Sequence, residues 1–148
     1  MEVLLDNRQT KIGVDLDGLR NKAETLLDDL GCDPSAVLSI SLVDAEEMAD
    51  LNLRFRGKEG ATNVLSFSQQ EGEVSVPVPS LLGDVVICME KASQDATELG
   101  YTDDEMLLYL LIHGVLHLMG HVHDRPEDAT LMEGRVGEIF SRFFSSRP

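Results

Sequence analysis

The sequence predicts an α+β fold: a small mixed β-sheet of about four strands, helices packed mainly on one face, and one central buried helix. Three observations lead there. Four short segments rich in Val, Ile and Leu read as strands. Amphipathic stretches with their own start and stop signals lie between and after them. One helical stretch, residues 106–119, is apolar nearly all round, which places it inside. The order is strand, helix, strand, helix, two strands, three helices; it does not reveal how the strands pair.

Residues 3–6 can start a strand. Asp15 or Asp17 caps a helix with Leu16, Leu19, Ala23, Leu26, Leu27 and Leu30 along one face, and Gly31 is placed to stop it. Residues 37–43 alternate apolar with small polar side chains through their middle, the period of a strand. Asp44 with Glu47 resembles a capping box and opens a helix through Met48, Leu51 and Phe55. Residues 62–67 and 82–88 read as two more strands. The loop between them, residues 69–81 with Pro77 and Pro79, is longer than a hairpin needs, and such loops tend to be functional or mobile. Residues 89–99 read as a helix ending at Gly100. Thr102 with Glu105 matches a capping box, and the acidic first turn suits the helix dipole. The buried helix that follows stops at Gly120. Pro126 lies near the start of a final helix reaching Phe144, with Met132, Val136, Ile139, Phe140 and Phe143 as its packing face.

The 148 residues suit a single domain, 1–148, with no linker, repeat or low-complexity tract. The N-terminus lacks a basic start followed by an apolar run, and the longest apolar run is too short to span a bilayer, so a cytoplasmic protein is expected. Cys32 and Cys88 belong to no ligand pair and read as reduced thiols. The net charge of −15 runs against a bare nucleic-acid binder, whose affinity rests on neutralising phosphates. One local exception is the basic run Arg54-Phe55-Arg56-Gly57-Lys58.

The strongest chemical signal lies in the buried helix. His113 and His117 stand at i and i+4, on one face and one turn apart. Gly120 allows a sharp turn, after which His123 can swing back as a third ligand. The spacing His113-x-x-x-His117-x-x-Gly120-x-x-His123 is that of the metzincin zinc proteases, so the site is zincin-like. Three imidazoles leave a fourth tetrahedral position for water, the mark of a catalytic rather than a closed zinc site. Nickel, iron or copper also bind three imidazoles, but zinc, one ion per chain, is the expected cofactor. Two histidines buried on one helix face for no common partner would be costly. His121 competes for the third place at a shorter spacing and is read as lying beside the ligands or on the surface. The position where zinc proteases keep a general-base Glu is Gly114, which argues against a peptidase mechanism of that type.

At this point the residues resemble a known family. The segment His113-Gly-Val-Leu-His-Leu-Met-Gly-His-Val-His123 is similar to the signature His-Gly-x-Leu-His-Leu-x-Gly-Tyr-Asp-His of the YbeY family, the bacterial rRNA maturation endoribonucleases. Leu51-Asn-Leu-Arg-Phe-Arg-Gly57, Thr62-Asn-Val-Leu-Ser-Phe67 and Leu82-Gly-Asp-Val85 match the family's upstream segments in order and spacing. The resemblance implies a zinc-dependent, single-strand-selective endoribonuclease that matures ribosomal RNA, notably the small-subunit 3′ end, and serves ribosome quality control. It implies metal binding by His113, His117 and His123, a functional Arg56, and ribosomal RNA with the ribosome or its proteins as partners. Three positions depart from the pattern: His121 and Val122 replace Tyr and Asp, and Asn63 stands where many members have Asp. Losing that downstream Asp removes an acceptor for a ligand histidine, a place open to Asp124.

Phosphodiester hydrolysis in single-stranded RNA is the expected chemistry, with Arg56 on the developing charge because its planar fork meets two phosphate oxygens. The same basic run also suits a solvated helix end. Asp84 reads either as an orienter of a ligand histidine or as a polar strand end, and Ser66 is a poor nucleophile for want of a partner base. Two other functions compete: a zinc hydrolase acting on a peptide or amide, and a ribosome-associated factor whose metal is structural.

Overall fold

Among the described residues the elements follow the predicted order: β1 (Glu2–Asn7), α1 (Leu16–Asp29), β2 (Val37–Val43), α2 (Ala45–Arg56), β3 (Val64–Ser68), β4 (Leu81–Cys88), α3 (Met89–Leu99), α4 (Asp103–Leu118) and α5 (Pro126–Ser145). They come from a computed structural model that describes residues 2–68, 81–120 and 126–145. The predicted loop with Pro77 and Pro79 lies outside the described residues, apart from Leu81 at its end.

The sheet has the order β1-β2-β4-β3, so β3 is an edge strand. β1, β2 and β4 run parallel, and β3 returns antiparallel to β4, pairing Leu65 with Val86 and Phe67 with Asp84. Side chains alternate across it as the strand period requires. Leu38, Ile40, Leu42, Val85 and Ile87 enter a large core shared with α1, α3, α4 and α5. Val43, Leu65, Val86 and Cys88 enter a second, smaller core with Met48 of α2. Helices therefore lie mainly on one face, with α2 alone on the other.

Most cap signals are realised. The Asp15 carboxylate accepts from the Gly18 amide at 3.1 Å and the Asp44 carboxylate from the Glu47 amide at 2.9 Å. Where the structure departs from expectation, burial and charge explain it. Glu47 leaves the predicted capping box half formed because its carboxylate turns to Arg8 at 2.8 Å. Separately, the amide of Ala45, the first helical residue, donates to Glu90 of α3 at 3.1 Å. On α2 the buried side chains are Met48 and Asn52, while Phe55 is 59% exposed. Leu16, expected on the inner face of α1, is exposed at its first turn. Cys32 and Cys88 are both free, and burial raises the pKa of each thiol.

Candidate metal centre

Helix α4 is fixed at both its start and its middle. Thr102 Oγ1 accepts from the Glu105 amide at 3.1 Å, and the Glu105 carboxylate accepts from the Thr102 amide at 2.9 Å. That reciprocal cap satisfies two of the donors a helix start leaves open. From Met106 to Leu118 the helix is buried on most sides, as its apolar composition requires. At Gly114 it touches the sheet. A Cβ there would come within 2.7 Å of Val85 Cγ1 and 3.2 Å of Ser66 Oγ. Ser66 Oγ donates to the Gly114 carbonyl at 3.0 Å, so the serine braces the helix rather than serving as a nucleophile. Position 114 faces the strands, and the absent general base is thereby a packing contact as well as a chemical gap.

His113 and His117 lie on a different side of the helix, both half-buried, their ring centres 5.8 Å apart and their planes tilted by 40°. With Zn–N bonds of about 2.1 Å, two imidazoles on one tetrahedral ion have ring centres roughly 5 Å apart. The observed separation is somewhat wider than that. His123, the expected third ligand, lies outside the described residues, as do His121, Val122 and Asp124. Among the described residues no three His, Cys, Asp or Glu side chains are grouped to hold a metal. The expectation of a three-histidine cluster thus has a defined geometry only for its helical half.

An open groove of about 320 Å³ runs along the stripe of α4 that carries Tyr109 and His113. Asp95 and Glu98 of α3 and Glu133 of α5 line it, so its walls are negative. Burial, followed by the nearby Glu133 charge and Tyr101, raises the Tyr109 pKa and keeps that phenol protonated. Asn63 Nδ2 donates to Asp95 Oδ2 at 3.1 Å in the same groove. Carboxylate-lined walls of this kind disfavour anions.

The basic run lies at the end of α2, on the other face of the sheet. Phe55 stacks edge-to-face on Phe67 with centroids 5.2 Å apart, pinning the last turn of α2 to β3. Phe67 pairs with Asp84, next to Gly83. Gly83 has a φ of 137° and no room for a Cβ, which would strike the Phe67 carbonyl oxygen and lie 3.0 Å from Leu118 Cδ2. The C-terminal turns of α2 and α4 thus converge on one end of the β3–β4 ladder, from opposite faces. Arg54 is engaged, 3.4 Å from Asp50 and over the Phe55 ring. Arg56, exposed at the last position of α2, forms no ion pair among the described residues. Asp84 follows Gly83 in β4 and is paired with Phe67 of β3.

Comparison with known proteins separates the competing readings. The model of one protein family, described as endoribonuclease YbeY, matches residues 4–144. A protein named endoribonuclease YbeY from Syntrophotalea carbinolica is 41% identical over 140 residues, covering 93% of each chain. One from Cutibacterium acnes is 43% identical over 135 residues, covering 88% of this chain and 87% of its own. This chain belongs to the YbeY endoribonuclease family. The solution structure of TM1509 from Thermotoga maritima shares the fold, with a TM-score of 0.61 at 27% identity, covering 98% of this chain and 93% of its own. Against the YbeY signature, Asn63 is a departure the structure explains in part. An Asp at that place would face the Asp95 carboxylate without a donor, whereas the amide supplies one.

Asn52 enters the sequence reading only within the segment 51–57, with no role of its own. It sits four residues after Met48 on the inner face of α2, and an amide in an apolar stripe was the available signal.

Proposed function

We propose that this endoribonuclease is zinc-dependent, cuts single-stranded RNA in ribosomal RNA maturation, including the small-subunit 3′ end, and serves ribosome quality control. His113, His117 and His123 hold the metal, and Arg56 meets the phosphate. The observation that carries this reading is the pair of half-buried imidazoles 5.8 Å apart on one stripe of a capped, packed helix. When bound, zinc supplies a Lewis acid for a phosphoryl oxygen and a means of activating water at neutral pH.

The chain's own residues bind and orient the substrate. The Arg56 fork takes two phosphate oxygens and stabilises the charge that grows as the phosphorus–oxygen bond breaks. Lys58, exposed two residues on, adds attraction where the rest of the surface repels. The carboxylates beside Tyr109 and His113 keep the RNA backbone out of that groove and on the Arg56 side. Packing at Gly114 leaves no base for the peptidase alternative. Three imidazole ligands would leave a fourth position for water, which speaks against a purely structural metal. The acidic surface suits docking on basic ribosomal proteins in the cytoplasm, and no helix among the described residues is long and apolar enough to cross a membrane.

The test is a panel of single-stranded RNA, duplex RNA and peptide substrates with wild type and Arg56→Ala. Wild type should cut single-stranded RNA selectively. Arg56→Ala should lose about 10²–10³-fold in cutting, the cost of removing one transition-state donor, at unchanged zinc content. Peptide cleavage, or full RNA cutting by the variant, contradicts the reading.

A further inference from the structure

Among the described residues the buried polar side chains are Gln9 and Asn52, each 5% exposed. They differ in how they are satisfied. Gln9 Nε2 donates to Asn7 Oδ1 and the Ile12 carbonyl, and its Oε1 accepts from the Ile12 amide, so both ends of its amide are used. Asn52 Nδ2 donates to the Gly60 carbonyl at 2.8 Å, while its Oδ1 has no partner among the described residues. An orphaned buried acceptor costs free energy that an apolar side chain of the same size avoids. Stability alone therefore does not account for an amide here.

What the amide does is local and specific. The Asn52 carbonyl accepts from the Lys58 amide at 3.4 Å, and the Gly57 amide closes on Leu53 at 3.1 Å with Gly57 left-handed at a φ of 66°. The side chain then reaches past them to Gly60. Asn52 thus grips the turn 57–60 at two points, through its backbone at Lys58 and its side chain at Gly60. Arg56 and Lys58 stand at the entrance and within this turn, and the other tie on that end of α2 is the Phe55–Phe67 contact.

We propose that Asn52 is a positioning residue for RNA cleavage: its side-chain amide sets the turn that aims Arg56 and Lys58 at the phosphate. This rests on the reading of Arg56 as the phosphate-binding group. The orphaned Oδ1 is the cost of using the amide's donor end for the loop.

The test compares Asn52→Leu, Arg56→Ala and the double variant for thermal stability, zinc content, single-stranded RNA cutting, and affinity for a non-cleavable single-stranded oligonucleotide. Asn52→Leu should match or exceed the wild-type Tm, keep its zinc, and lose about tenfold in affinity and cutting. On the Arg56→Ala background its effect should shrink to under about twofold, because the two act as one unit. Wild-type cutting by Asn52→Leu beside an impaired Arg56→Ala overturns the role of Asn52 alone. An equal loss on the Arg56→Ala background overturns it too. Unimpaired Arg56→Ala instead sinks the Arg56 reading and the positioning role together. Asn52→Ala, which deletes the amide without adding bulk, is measured alongside. Loss of folding in both variants makes Asn52 a structural residue and ends the inference.

Discussion

Helices α4 and α2 pack on opposite faces of β3 and β4, and they are held in different ways. α4 is locked by a reciprocal cap, a large core and a glycine contact with the sheet. Its histidines inherit a rigid frame from burial. α2 rests on a core of five buried residues, and its last turn is exposed, tied down by one aromatic contact and one buried amide. The contrast matches the two tasks. Metal ligands must be placed within fractions of an ångström, so they suit a packed helix. A side chain that meets a large, flexible polyanion needs reach and exposure, and precision there comes from a few polar ties.

The comparison can be broken first on the α4 side. Gly114→Val should destabilise the fold by about 1–3 kcal/mol, since the added atoms press on Val85 and Ser66 and cores tolerate overpacking poorly. Zinc binding should weaken with it, because the helix must move off the strands. Denaturant unfolding with parallel metal analysis checks this, and wild-type stability would show that the contact is not the constraint assigned to it.

A smaller effect is expected where α2 begins. The Ala45 amide holds the Glu90 carboxyl below the ordinary glutamate value, with Lys11 helping at 3.3 Å. A depressed folded pKa means stability that is present above the unfolded value and lost as pH falls through the folded one. Glu90→Gln should therefore lower Tm slightly at pH 7, with no change in cutting. The gap should close in acid, below the ordinary glutamate range. A Tm difference that stays constant down to pH 3 would assign the effect to something other than this carboxylate.

The same contrast explains what was legible in the sequence. The strands, the caps at Asp15, Asp44 and Thr102, and the central helix were readable because each is a local pattern of residues within a few positions. The histidine pair was readable for the same reason, as i and i+4 on one helix. Features that depend on distant chain were not. Glu47 turning to Arg8, Glu90 covering the Ala45 amide and Ser66 bracing Gly114 each join residues brought together only by the sheet. Phe55 lies on α2 as the sequence predicts, but the buried side chains of that helix are Met48 and Asn52, and Phe55 is exposed against Phe67.

The most direct test of the histidine centre is elemental analysis of purified wild type and His117→Ala, with cleavage of a single-stranded RNA measured on the same samples. Zinc close to one ion per chain together with RNA cutting, both lost in His117→Ala while its fold persists, is the predicted result. A wild-type chain that cuts RNA with no bound metal, or a His117→Ala variant that keeps both zinc and cutting, would contradict it.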